Sequence, residues 1–219
     1  MISKEVDRHQ LPGRKDDYLL ARTFEDQAMT RVASNHHYAT LSVAAHWLTL
    51  VLLVAIYALI ELRGIFPKGT AAHDAMKTWH FMLGLTVFGM VGIRLVLRLI
   101  FRAPPITPPP PTWQLWLAKA MHLALYAFLI VMPLLGWLTL SAKGKPIPFF
   151  GLELPALIDP DKSLGGELEE IHETIGTVGY YLVGLHAAAA LFHHYFMRDD
   201  TVLRMLPSRV RRLAVRGQS

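Results

Sequence analysis

The sequence predicts an all-α integral membrane protein, a bundle of four transmembrane helices. Two observations carry this prediction. Of the 219 residues, 53% are hydrophobic and only 18% are charged, which is low for a water-soluble domain of this length. The apolar residues also gather into four runs, each long enough to supply the roughly 20 residues that cross a bilayer. A single polytopic membrane domain, in contact with lipid, accounts for both.

The four predicted spans are separated by segments of distinct composition. The proline-rich connector 103–113 favours a stiff, extended conformation outside the membrane. Gly and Pro punctuate the loop 61–77, and Pro, Gly and acidic residues enrich the longer loop 141–169. Pro133 predicts a kink in the third span. The spans are expected at residues 41–60, 78–101, 115–140 and 170–196.

The two ends of the chain differ from the bundle. Residues 1–37 are polar and lack the apolar region of a secretory signal, so we expect a mobile cytoplasmic extension. The bundle itself is assigned to residues 38–207. Residues 208–219 form a basic tail, which we expect to be cytoplasmic.

The distribution of basic residues predicts the orientation. Arginines and lysines flank the proline-rich connector and fill the tail, whereas residues 141–173 contain three lysines against seven acidic residues. By the positive-inside rule, both termini and the connector are cytoplasmic and the other two loops face outward. This topology explains the net charge of +5 without a nucleic-acid partner.

Four histidines inside the spans indicate a functional site, because ionisable groups are costly in lipid. His172 and His186 are 14 residues apart, which places them on one helix face and about 21 Å apart along the axis. With the orientation above, His80 matches the depth of His172, the outer pair, and His46 matches that of His186, the inner pair. Hydrogen bonding between helices would explain one such histidine. Four at matched depths indicate bis-imidazole ligation of two b haems, since haem iron accepts axial histidine.

The absence of cysteine narrows the redox chemistry. The chain has none, which excludes a disulfide framework, a Cys-ligated iron–sulfur cluster and covalent c-type haem attachment. No thiolate therefore competes with histidine as an axial ligand.

Each of the residues near these four histidines has two interpretations, one functional and one structural. Arg94 lies on the His80 face at the depth of the inner pair, as a partner for a haem propionate or as an ordinary positive-inside arginine. His193, two turns beyond His186, would bind a quinone carbonyl or lie at the interface. Gly84 and Gly176 each follow a histidine by one turn, which leaves room for a macrocycle or for close helix packing.

The remaining histidines carry no ligand signal. His122 and His194 have no partner at their depth and are interpreted as packing or interfacial residues. The others lie outside the predicted spans: His9, His36, His37 and His73.

Four stretches resemble a known family. They are YATLSVAAHW, GIRLVLRL followed by APP, IHETIGTVGYYLVGLHAAAALFHHYF, and LRMLP. Together they resemble the bacterial cytochrome b-561 family, superoxide oxidase type, over about residues 38–207. The long stretch around residues 172–195 is the most specific. Residues 1–37 have no counterpart in the compact members.

The resemblance implies a function and roles for residues. It implies a four-helix protein of the bacterial inner membrane with two b haems, passing electrons from periplasmic superoxide to ubiquinone. The family's quinone-contacting histidine falls on His193, and its basic residue before a glycine in the third loop falls on Lys143. Lys77 and Lys145 are lesser candidates for attracting superoxide. The family's four haem ligands fall on His46, His80, His172 and His186.

Other functions remain open from the sequence. One is a cytochrome b subunit that relays electrons between quinone and a partner dehydrogenase, with loop 141–169 as a docking surface. Another is a non-haem metal-binding membrane protein, although the histidines are split between two depths rather than grouped in boxes with carboxylates. A purely structural membrane protein is the last alternative.

Overall fold

The computed structural model describes residues 40–101 and 105–206. These segments contain four long helices, each long and apolar enough to cross a membrane, which confirms the predicted all-α bundle. The predicted N-terminal extension and basic tail lie outside the described residues. The helices are α1 Thr40–Leu62, α2 Ala71–Ile100, α3 Thr112–Ala142 and α4 Lys162–Phe192.

The packed core lies between α2 and α3. Val87 and Val91 of α2 are almost fully buried against Phe128 and Leu129 of α3. Large apolar side chains on the outside of the bundle stay exposed, for example Leu99 at 85%. This exposure is expected of a protein whose surroundings are lipid, because lipid tails are as apolar as the side chains that they meet.

Two helices begin seven or eight residues before the predicted spans: α2 at Ala71 and α4 at Lys162. The hydroxyl of Thr70 accepts a hydrogen bond from the His73 N–H and caps α2. The carboxylate of Asp161 accepts from the N–H groups of Ser163 and Leu164 and caps α4. Such caps satisfy amide groups that a helix start leaves unpaired. Both helices therefore extend beyond their apolar runs, and the predicted loops 61–77 and 141–169 are shorter than expected.

A small hairpin follows α3. Strands β1, Ile147–Phe149, and β2, Leu152–Leu154, pair antiparallel. Its two-residue turn has positive φ at Phe150 and Gly151, 48° and 85°. The Phe150 N–H lies 3.3 Å from Met82 Sδ, so the hairpin rests on α2.

The chain after α4 turns back on the bundle. A π-helical turn, His193–Met197, is followed by Arg198 in the left-handed region. Asp200 then exchanges two hydrogen bonds with Thr107 of the connector, of 3.0 and 3.2 Å. The Trp47 indole of α1 donates to the Met205 carbonyl at 2.7 Å. The segment that follows α4 is thus hydrogen-bonded to both the connector and α1.

Candidate functional site

The histidines paired by depth in the sequence are neighbours in the structure. The ring centres of the inner pair, His46 of α1 and His186 of α4, are 6.4 Å apart. Those of the outer pair, His80 of α2 and His172 of α4, are 6.3 Å apart. Two imidazoles that share one metal ion each place a nitrogen about 2 Å from it, which puts the ring centres about 6 Å apart. Both pairs therefore have the spacing that two imidazole ligands of one iron would need.

Hydrogen bonding in the outer pair favours ligation through Nε2. His80 Nδ1 lies 3.1 Å from the Ile56 carbonyl. A carbonyl only accepts, so Nδ1 carries the proton and Nε2 keeps its lone pair. His172 Nδ1 is buried beside the Met132 carbonyl but makes no hydrogen bond of normal geometry. His80 thus keeps a lone pair on Nε2, which is the donor atom that a metal ion would need.

A cavity of about 720 Å³ adjoins the outer pair. It has the size of a ligand pocket, about 300–1,000 Å³. Its wall includes Gly84, where an added Cβ would meet nothing within 4 Å. Gly176 also lines it, and a Cβ there would lie 3.5 Å from Met132 Cε. Both predicted glycines therefore leave backbone accessible to a flat ligand.

Charged residues of both signs line the same cavity. Lys143 is among them, and its ammonium group forms an ion pair with the Glu169 carboxylate. Lys143 and His172 thus border one space, as a substrate-attracting role requires, but Glu169 offsets part of the lysine's charge. The cationic lining residues are Arg63, Lys68, Lys77, Lys143 and Lys145, and the acidic ones are Glu61, Glu169 and Glu173.

Arg94 reaches the inner pair, at the depth expected from the sequence. Its Nη2 lies 3.2 Å from His46 Nδ1, and its guanidinium lies over the Tyr126 ring. Because a guanidinium only donates, His46 accepts at Nδ1 and carries its proton on Nε2. Ligation through Nε2 therefore requires Arg94 to leave this nitrogen. A haem propionate would be a stronger, charge-assisted acceptor for the same guanidinium.

The structure corrects the surroundings that the sequence predicted for two histidines. The His122 ring lies 5.5 Å from that of His186, so it does have a neighbour at its depth. Depths were assigned by counting residues along each span separately. Such counting ignores how far α3 is shifted along its axis relative to α4, so it does not predict this contact. His73 lies in the first turn of α2, is 5% exposed and lines the cavity, because α2 begins before the predicted span.

His193 has a partner that the sequence did not indicate. Its Nδ1 lies 2.6 Å from Asp199 Oδ2, and Asp199 is 5% exposed. Burial alone would raise the pKa of Asp199, but hydrogen bonds from Thr201 and His193 lower it below its ordinary value. Asp199 is therefore a buried carboxylate in contact with the imidazole.

A compact non-haem metal centre is not visible in the described segments. Within residues 40–101 and 105–206, no group of three or more His, Cys, Asp or Glu side chains is placed to hold a metal ion.

The chain is similar to known cytochromes along most of its length. The family model of prokaryotic cytochrome b561 matches residues 37–208. Cytochrome b561 homolog 1 of Escherichia coli (strain K12) is 37% identical over 174 residues, which are 80% of this chain and 99% of that protein. The probable superoxide oxidase CybB of Yersinia pestis is 34% identical over 172 residues, 78% of this chain and 97% of that protein. Cytochrome b561 homolog 2 of Escherichia coli (strain K12) is 31% identical over 179 residues, 77% of this chain and 90% of that protein. The chain therefore belongs to the prokaryotic cytochrome b561 family of haem b-containing membrane electron-transfer proteins.

Proposed function

We propose that this protein is a superoxide:quinone oxidoreductase of the bacterial inner membrane. Electrons from superoxide on the outer side would pass through two b haems to ubiquinone. The observation that carries the proposal is the pair of imidazole couples at two levels of the bundle, with ring centres 6.3 and 6.4 Å apart. Haem, when bound, supplies a one-electron carrier whose chemistry belongs to the cofactor.

Each imidazole couple has the role of holding one haem. His80 and His172 would hold the outer one, beside the cavity with its glycine-lined wall. His46 and His186 would hold the inner one, with Arg94 as the partner of a propionate. The absence of cysteine and the helical positions of all four histidines support this assignment.

Lysines at the outer cavity would attract superoxide. Superoxide is an anion, and positive local potential raises encounter rates by about 10- to 1,000-fold. Lys143 is the main candidate, because the family's basic residue in the third loop falls on it. Lys77 and Lys145 would assist, since they line the same cavity as Lys143. The similarity to a probable superoxide oxidase supports this donor.

His193 would contact the quinone at the other end. It follows His186 by two turns and lies about 10 Å further along the axis. In the balanced reaction, two superoxide anions each give one electron and leave as O₂. The quinone takes both electrons and two protons and becomes quinol.

The test uses the purified, haem-loaded protein in detergent. Enzymatically generated superoxide should reduce the cytochrome as fast as it is supplied, and superoxide dismutase should abolish the reduction. A soluble ubiquinone added afterwards should reoxidise it. A protein that dithionite reduces but superoxide does not would disprove the proposed donor while leaving the electron-transfer role intact.

A second candidate is a cytochrome b subunit that exchanges electrons with a partner dehydrogenase. The hairpin favours it, because Phe150 and Leu152 expose 53% and 67% of their surface and Ile147 of the same hairpin lines the outer cavity. Isolation from the native membrane in mild detergent distinguishes the two candidates. A redox subunit that co-purifies in fixed ratio would support the relay, and an isolated chain with full superoxide activity would contradict it.

A further inference from the structure

The segment after α4 has an unusual backbone that brings one carboxylate to His193. The π-helical turn His193–Met197 and the positive φ of Arg198, 53°, follow one another directly. π-Helical turns are rare and are frequent at functional sites, and a non-glycine residue with positive φ is uncommon. Together they reverse the chain, so that the Asp199 N–H donates to the His193 carbonyl at 3.2 Å.

Both carboxylate oxygens of Asp199 accept hydrogen bonds. Oδ2 lies 2.6 Å from His193 Nδ1, and Oδ1 accepts from the Thr201 N–H at 2.9 Å. The Asp199 side chain is 3% exposed, whereas that of His193 is 21% exposed. The carboxylate is therefore enclosed, and the imidazole is the part of the dyad that a ligand can reach.

The chemistry of this dyad decides what His193 offers a ligand. A carboxylate only accepts, so Nδ1 carries a proton that it donates to Asp199. The carbonyl oxygen of a quinone also only accepts. His193 can donate to both only as the imidazolium, with Asp199 as its counter-ion. Without the carboxylate, Nδ1 loses its charged acceptor.

We propose that Asp199 is a positioning residue that keeps His193 as an imidazolium, with Nδ1–H on Asp199 and Nε2–H for the quinone carbonyl. This inference rests on the proposed reduction of quinone beside His193. The nearby Asp200 has a different task, because its contacts are Thr107 of the connector and Arg204.

The proton balance follows from this arrangement. The quinone receives two electrons, one from each of two superoxide anions. The Nε2–H bond breaks and one quinone oxygen takes that proton, while the other oxygen takes a proton from the cytoplasmic solution. His193 is then reprotonated from the same solution, and Asp199 stays a carboxylate throughout.

The test compares Asp199→Asn with the matched control Asp200→Asn in haem-loaded protein. Reduction by superoxide without quinone should be unchanged in both. Reoxidation of the reduced protein by a soluble ubiquinone should be slowed about tenfold or more in Asp199→Asn only, the equivalent of one charge-assisted hydrogen bond. The upward shift of the unfolding temperature that ubiquinone causes in oxidised protein should shrink in the same variant, and Asp199→Glu should restore part of both.

Each outcome separates the inference from the function on which it rests. If His193→Gln slows reoxidation and Asp199→Asn does not, the role of Asp199 is wrong and the quinone contact stands. If Asp200→Asn matches Asp199→Asn, the effect is structural and the inference fails. If ubiquinone does not oxidise the unaltered protein, the proposed reduction of quinone is wrong. The inference about Asp199 is then wrong as well, because it depends on that reduction. Haem content and spectrum show whether each variant is folded. If Asp199→Asn is not folded, Asp199→Ser replaces it as the variant without a carboxylate.

Discussion

Gly179→Ala tests the packing of the bundle, because three helices meet at this residue. Gly179 of α4 is buried against Tyr57 of α1 and Phe128 of α3. An added Cβ would lie 2.6 Å from Phe128 Cε2 and closer still to Phe128 Cζ and Tyr57 Oη. Carbon atoms pack at about 3.5–4.0 Å, so the neighbours must withdraw by about 1 Å. Neither is free to do so, since Phe128 belongs to the core and Tyr57 donates to the Gly176 carbonyl at 2.8 Å.

The expected loss of stability is about 1–3 kcal/mol. Overpacking a close-packed site costs about 1–3 kcal/mol. Loss of the Tyr57 hydrogen bond would add about 1 kcal/mol. The higher helix propensity of alanine than of glycine stabilises the helix by about 1 kcal/mol, which offsets the loss of that hydrogen bond. The packing cost is therefore the net effect.

The assay is unfolding of the haem-loaded protein by SDS in mixed micelles, followed by the haem spectrum. Gly184→Ala is the matched control on the same helix, because a Cβ there would meet nothing within 4 Å. Gly179→Ala should unfold at clearly lower SDS, whereas Gly184→Ala should be unchanged or more stable. Equal effects of the two substitutions would refute the assigned close approach of α1, α3 and α4.

Three further predictions concern charge, the third histidine and acid stability. Lys143→Met should lower the rate at which superoxide reduces the cytochrome several-fold and weaken the salt dependence of that rate, because a cation at the cavity is removed. Lys162→Met, at the start of α4, should change neither quantity. Equal effects of the two substitutions would contradict the role of Lys143. His122→Leu should shift the spectrum or potential of the inner haem without lowering the haem content; loss of one haem would instead make His122 a ligand. Asp199 has a pKa below its ordinary value of 3.8, so its contribution to stability is complete above that value and is lost as the pH falls through the lower folded value. Acid titration of unfolding should show this loss in the unaltered protein and not in Asp199→Asn, and identical profiles would contradict it.

The features predictable from the sequence are those that depend on local composition and helical period. Apolar runs locate the spans. The positive-inside rule orients them, and a rise of 1.5 Å per residue then places His80 at the depth of His172 and His46 at the depth of His186. The helix starts were less accurate, because hydropathy reports the apolar part only. The caps at Thr70 and Asp161 extend α2 and α4 past it.

What sequence reasoning missed depends on tertiary structure. The contact of His122 with the inner pair follows from the axial offset between helices, which no single span encodes. Asp199 reaches His193 through a π-helical turn and a left-handed residue, and neither has a reliable sequence pattern. The Lys143–Glu169 ion pair involves a residue of α4 that lies before the predicted span, because α4 begins at Lys162 and not at residue 170.

The most direct test of the account is the haem-to-protein ratio of purified protein with its optical spectrum. We expect two low-spin b haems per chain. His172→Ala and His186→Ala should each leave one, and His194→Ala should leave both. Full pigment content after either of the first two substitutions, or a colourless unaltered protein, would contradict the assignment of one haem to each imidazole pair.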